Sequence, residues 1–178
     1  MKKIVLISGL ARHGKDTTAN FLKQKLNGTT LIIHNADYLK YISKEYLGWD
    51  GNKDNYGRNL LQWLGTDRTR TELNKPLFWI EKTCDAIEIT KNKYDYFLVP
   101  DCRFSNEIHY PMARFPNMVI DLHINRYNFT SNLTDKQKNH PSERGLDNFK
   151  HEYCLRVQEG LEYLEKEVDF FIEEYLKN

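Results

Sequence analysis

The chain has 178 residues, 40% of them hydrophobic, with 26 Lys and Arg set against 25 Asp and Glu. That length suits a single domain with a sizeable core. The near-balanced charge gives no reason to expect nucleic acid or a membrane surface as partner, and no apolar run approaches the length of a membrane span. The scattered cysteines Cys84, Cys102 and Cys154 argue against a disulfide framework or a structural zinc site. No signal peptide opens the chain, so it reads as cytoplasmic.

The first predicted element is a strand over Lys3–Ser8. It runs into Gly9-Leu10-Ala11-Arg12-His13-Gly14-Lys15-Asp16-Thr17, a Gly-x-x-x-x-Gly-Lys loop, and then into a helix over Lys15–Leu26 with Ala19, Leu22 and Leu26 on one face. Strand, loop and helix in that order form the phosphate-binding loop of a nucleoside triphosphate enzyme. A triphosphate needs many donors in a small space, and backbone N–H groups are the donors dense enough to supply them. Gly9 and Gly14 let the loop curl so that these groups, from Ala11 to Thr17, point inward. The first helical turn adds free N–H groups and the positive end of its dipole. Lys15 reaches the β- and γ-phosphates as a mobile charge. Asp16 stands where Ser or Thr usually binds Mg²⁺. Its carboxylate holds the metal directly, holds it through water, or caps the helix, and the sequence leaves the three open.

Thr30–His34 is a β-branched second strand, and Asp37–Leu47 is helical. A polar loop over 48–55 precedes a short helix at Arg58–Leu64 with Leu60, Leu61 and Leu64 inward. Pro76 starts a helix carrying Leu77, Ile80, Cys84 and Ile87 at 3-4-3 spacing. Tyr96–Val99 is the third strand. Ser105–Phe115 is partly helical, broken or kinked at Pro111. Met118–Ile124 is the fourth strand. Residues 126–148 show little periodicity, and a stretch that long between strands is a lid or disordered. Tyr153–Val157 is the fifth strand. The last helix, Leu161–Leu176, carries Leu161, Leu164, Val168, Phe171 and Tyr175 on one stripe. Alternating strands and helices imply an α/β fold with a parallel sheet covered on both faces.

Ligands in such sheets bind beyond the carboxyl ends of the strands. Strand two ends at Asn35-Ala36-Asp37, strand three at Asp101-Cys102-Arg103, and strand four at Asn125-Arg126. Asp101 sits where such folds keep the acid that orients Mg²⁺ and its waters; its structural alternative is a cap for the helix from Ser105. Arg58 and Arg103 can each grip a phosphate through two parallel hydrogen bonds. Arg126, at the entrance to the lid, is a cation that arrives with closure. Asp54-Asn55-Tyr56-Gly57 and Asn92-Lys93-Tyr94-Asp95 match GTP-switch patterns but stand in the wrong context, the first after a loop and the second before a strand. His109, His123, His140 and His151 lack metal-site spacing and read as surface or packing residues, with His140 reconsidered below.

With these residues in place, the chain resembles the phage-type deoxynucleoside monophosphate kinases, in the nucleoside monophosphate kinase branch of P-loop folds. Four segments carry the resemblance: 8–19, with Asp16 after the lysine; 58–67, followed by Phe78-Trp79; 94–103, continuing to Glu107; and His140-Pro141-Ser142-Glu143. It implies strand order 2-3-1-4-5, with ATP and Mg²⁺ at the loop and a deoxynucleoside monophosphate near Asp37, Arg58 and Arg103. Lys15 and Arg126 would stabilise the transferring phosphoryl. His140, Ser142 and Glu143 would belong to the lid, with His140 and Glu143 either latching its closed form or only ordering the loop. Two other readings stand beside this one. One is a kinase of another small phosphorylated acceptor, phosphomevalonate-like. The other is a non-catalytic nucleotide-binding or polynucleotide-end-processing protein. Small-molecule nucleotides are the expected partners, and whether copies pair as a homodimer is open.

Overall fold

Every strand rises from the same edge of one sheet. In the computed structural model, which describes residues 2–130 and 133–176, five parallel strands lie in the order β2-β3-β1-β4-β5. They are β1 (Lys3–Ser8), β2 (Thr30–Ile32), β3 (Tyr96–Cys102), β4 (Val119–Arg126) and β5 (Tyr153–Val157). β1 is central because its run Ile4-Val5-Leu6-Ile7 is apolar on both faces and fully buried, as an all-parallel sheet requires. Alternation along it divides the core. Val5 and Ile7 meet Ala19 and Leu22 of α1 (Lys15–Lys25) and Leu164, Val168 and Phe171 of the last helix. Ile4 and Leu6 meet Ile80, Cys84 and Ile87, and Ile108, from helices on the opposite face.

The helices follow the predicted order with informative differences. α2 is Asp37–Leu47. α3 starts earlier than expected, at Asn55, because Asp54 caps it by accepting the Gly57 N–H at 2.8 Å. The GTP-switch match at Asp54 is thus a helix cap. From α3 the chain passes into a π-helix, Trp63–Glu72, whose i→i+5 pattern no side-chain periodicity announced. Leu60, Leu61 and Leu64 are only half-buried there, while Gly65, Thr66 and Thr69 face inward. α4 (Phe78–Thr90) buries Ile80, Cys84 and Ile87.

α5 (Asn106–Arg114) continues through Pro111, which is buried. The expected break does not occur: the helix forgoes one amide bond to the Glu107 carbonyl and gains apolar packing. The segment after β4 is not structureless, since it forms two short helices, α6 (Asp135–Lys138) and α7 (Pro141–Arg144). Thr134 and Gln137 make a capping box at α6. Residues 131 and 132 of the expected lid lie outside the described residues. α8 (Leu161–Phe171) ends in π-helical turns, Ile172–Leu176. The wider turn advances the buried face, so Ile172 and Leu176 are in the core while Leu161, 66% exposed, and Tyr175, 37% exposed, are not.

Close backbone approach requires glycine at Gly57, where a Cβ would stand 2.0 Å from the Asn52 carbonyl oxygen, and at Gly9 and Gly145. Gly9, at φ +141°, places its α-carbon so close to β4 that a Cβ would stand 2.5 Å from the Ile124 carbonyl oxygen. At Gly145, just after α7, a Cβ would meet the Arg103 carbonyl oxygen at 2.5 Å. Gly9 lets the loop leave β1 tightly; Gly145 lets the segment after β4 dock against the end of β3.

Candidate active site

The carboxyl ends of β1, β2 and β3 open into a cavity of about 380 Å³. Ala11, Arg12, Lys15 and Asp16 of the loop and α1 line it together with Arg58, Leu61, Gln62, Arg70, Trp79, Arg103, Phe104 and Glu107. Asp101, Leu133, Gln137, Ser142 and Glu143 complete the walls. The loop is curled as its glycines allow. Gly9, Arg12 and Gly14 all have positive φ, and Gly14 begins α1 in a left-handed conformation.

Lys15 is 7% exposed, and its ammonium donates to the Gly9 and Leu10 carbonyls at 2.8 Å each. Burial, and next the Arg103 charge, pulls it down to about 8. A cation kept so poorly solvated is strongly drawn to an arriving anion. His13 faces away from the cavity. Its Nδ1 lies 3.1 Å from the Arg126 main-chain nitrogen and 3.3 Å from the Ile124 carbonyl oxygen, and the ring packs edge-on to Phe129. Burial lowers its pKa, so it is a neutral packing residue that contributes only main chain to the loop.

Asp16 is not a helix cap, since no side-chain bond caps α1. Its carboxylate instead meets His34 Nε2 at 3.0 Å. His34 N–H and Nδ1 face Asp37 at 2.9 and 3.5 Å. Hydrogen bonds first to Asp16 and then to Asp37 raise His34 to about 9. Burial would raise Asp37, but the His34 ring and N–H outweigh it and hold that carboxyl at about 2. Asp37 therefore does not line the cavity; its charge is spent on His34, which does.

Asp101 does line it. Both its oxygens accept main-chain N–H groups, from Asn35 at 2.8 Å and Ala36 at 3.0 Å. It ties the end of β3 to the start of α2, and no side-chain bond caps the helix at Ser105. Glu107 Oε2 accepts the N–H of Arg103 at 2.7 Å and of Phe104 at 3.2 Å. Asp16 and Asp101 are the oxygen donors a Mg²⁺ takes, and each carboxylate keeps lone pairs free for metal-bound water. Among the described residues no cluster of three or more His, Cys, Asp or Glu side chains is arranged to hold a metal, as fits an ion held chiefly by phosphates and water.

Arg103 directly follows the end of β3. Its Nη1 donates to the Ser142 carbonyl at 3.1 Å and to the Glu143 carboxylate, so the segment after β4 closes on it. His140 caps α7 by accepting the Ser142 N–H on Nδ1 at 3.2 Å, which leaves Nε2 facing Asp67 at 3.5 Å. Arg58 is half-buried, and its Nε donates to the Lys53 carbonyl at 3.1 Å. Arg126 is not brought to the cavity. It pairs with Glu159 at 2.9 Å and lies over the Phe129 ring at 4.9 Å.

Three participants escaped sequence reasoning. His34 immediately precedes the strand-end residues but matches no motif. Glu107 was quoted without a role. Arg70 sits in a polar run, Thr69-Arg70-Thr71, that carries no signal, because only the π-helix turns it inward. The rejected match at Asp95 holds the opposite edge of the sheet: it accepts the Thr29 N–H and hydroxyl at 2.8 Å each, beside the start of β3.

A five-stranded parallel sheet of this order with a phosphate loop after β1 is the fold of P-loop kinases, and solved structures agree. Thymidylate kinase from Candida albicans superimposes with a TM-score of 0.55 at 13% identity, over 97% of this chain and 91% of that one. Shikimate kinase from Bacteroides thetaiotaomicron gives 0.52 at 13%, over 99% of each. The APS kinase CysC of Mycobacterium tuberculosis gives 0.51 at 12%, over 97% and 98%. At such identities the likeness is one of fold. A comparison of the sequence with curated proteins finds no match. The family profile of the deoxynucleotide monophosphate kinases matches residues 34–168, and the chain belongs to that family. It is a phosphotransferase by family and fold. Kinases of this fold in general use ATP and Mg²⁺, and among the described residues no helix is long and apolar enough to cross a membrane.

Proposed function

We propose that the protein transfers the γ-phosphoryl group of ATP to a (deoxy)nucleoside monophosphate, giving the diphosphate. The observation that carries this reading is one continuous cavity lined by Lys15 and the loop residues Ala11 and Arg12, by the cations Arg58 and Arg103, and by the apolar side chains Leu39, Leu61, Trp79 and Phe104. Two anions and one flat base have complementary surfaces there.

The loop N–H groups and Lys15 hold the triphosphate of the donor, and Lys15 exchanges its two carbonyl partners for phosphate oxygens. Asp16 and Asp101 would hold the waters of Mg²⁺, which when bound would neutralise phosphate charge. Arg103 and Arg58 clamp the acceptor phosphate. Its attacking oxygen is already ionised, so alignment and charge neutralisation supply most of the catalysis without a general base. Arg126 joins the reacting groups only by leaving Glu159. The segment over 133–150, already in contact with Arg103 through Glu143, excludes water that would otherwise accept the phosphoryl.

The test is ADP release from ATP over a panel of ribo- and deoxynucleoside monophosphates, with non-nucleotide phosphorylated acceptors alongside. Turnover with at least one nucleoside monophosphate and none with the others is expected. Turnover confined to a non-nucleotide acceptor refutes the assignment, and no turnover with any acceptor refutes the kinase mechanism.

A further inference from the structure

The wall of the cavity contains a buried ion pair that the mechanism above does not use. Arg70, on the π-helix, is 13% exposed in its side chain and Glu107, on α5, is 3% exposed; they meet at 2.5 Å. The guanidinium is held on three sides. One nitrogen donates to the Gly65 carbonyl, another to Glu107 Oε1, and its face lies 4.5 Å above the Phe104 ring. Its Nε is buried with no hydrogen-bond partner. The second oxygen of Glu107 takes the N–H groups of Arg103 and Phe104. One carboxylate thus fixes the main chain that presents Arg103, and one arginine neutralises that carboxylate.

Such a pair is a poor device for stability. Desolvating two charges offsets most of their attraction, and apolar replacements are often neutral or better. Its position suggests a different use. Glu107 lines the same cavity as Arg103, so a bare carboxylate there would oppose a bound monophosphate. The charges of Asp101 and Arg103 also reach Arg70, which places it within the electrostatic field of the acceptor end.

We infer that Arg70 is a positioning residue for the acceptor: it neutralises Glu107, so that this carboxylate can hold the Arg103 main chain in place without repelling the incoming monophosphate. The inference rests on assigning the Arg103 end of the cavity to the acceptor. Arg70 need not touch the acceptor, and ATP binding at the loop is indifferent to it.

Calorimetric titration with dAMP, dCMP, dGMP and dTMP, and separately with ATP, tests this on the wild type and three variants. At least one monophosphate binds the wild type. Arg70→Met weakens it about tenfold or more, the size of coupling expected between contacting charged groups, and leaves ATP within about twofold. Arg70→Met/Glu107→Gln, whose amide oxygen still accepts the two N–H groups, recovers most of that loss. Arg70→Lys, which keeps the charge, stays within about threefold of wild type. A merely structural role would weaken ATP along with the monophosphate, and that result overturns the inference, as does an unchanged affinity in Arg70→Met or a double variant no better than the single one. Should Arg70→Met fail to fold, the double variant and Arg70→Lys decide: both near wild type supports the inference, and a tenfold loss in either refutes it. If the wild type binds none of the four monophosphates, the acceptor assignment itself falls, a result distinct from a variant that shows no shift.

Discussion

Replacing His34 with Gln tests the charge network beside the phosphate loop. The imidazole lies between Asp16 and Asp37 and is raised from 6.5 to about 9, first by the Asp16 hydrogen bond and then by the Asp37 one. At 1.36 kcal/mol per pH unit, that is worth at most about 3.4 kcal/mol. The side chain is 25% exposed, so solvent screening reduces the figure to about 1–2 kcal/mol. The lowering of Asp16 and Asp37 is the same interaction seen from the other partner and is not added. The sign follows from linkage. A group bound more tightly to its proton in the folded state contributes fully below its unfolded value and loses that contribution as pH rises through its folded value. The wild type is therefore expected to lose about 1–2 kcal/mol between pH 6.5 and pH 9 relative to His34→Gln, which lacks the titrating group. Urea unfolding of both proteins at half-unit pH intervals measures the difference. If the two stability curves run parallel across that window, His34 is not held protonated, and the Asp16–His34–Asp37 arrangement is not a charge network.

Lys15→Met should fold, since the buried ammonium bonds only two loop carbonyls, but turnover should fall by about 10²-fold or more for want of a charge at the transferring group; steady-state assay beside circular dichroism separates the two effects. Gly9→Ala should destabilise by about 2 kcal/mol or more, because its Cβ would stand 2.5 Å from the Ile124 carbonyl oxygen at a backbone angle L-residues avoid; a thermal midpoint equal to wild type refutes that. Arg103→Lys keeps the charge but not the planar fork, so the acceptor KM should rise about tenfold with little change for ATP. Glu143→Gln removes the carboxylate that meets Arg103, so amides over 133–146 should exchange faster with solvent in the ligand-free protein; equal protection means that this ion pair does not hold the segment down.

The elements that sequence made legible are those governed by local or one-dimensional rules. The apolar run of β1, the glycines and lysine of the loop, and the alternation of strands with helices each follow from residue spacing. The strand order came from resemblance to the deoxynucleoside monophosphate kinases, and the sheet bears it out. The strand-end rule also brought Asp101 and Arg103 to one cavity. What it could not supply was the direction each side chain takes. Asp37 and Arg126 stand at the correct edge of the sheet, yet nearer partners of opposite charge, His34 and Glu159, turn them from the cavity. Arg70 and Glu107 enter it because a π-helix rotates one and the N–H groups of Arg103 and Phe104 hold the other, and neither condition is written in local periodicity. Asp37 finds its partner three residues away, but for Arg70 and Arg126 tertiary structure decided, because a charged side chain settles on the partners that surround it, and theirs come from 37 and 33 residues away in the chain.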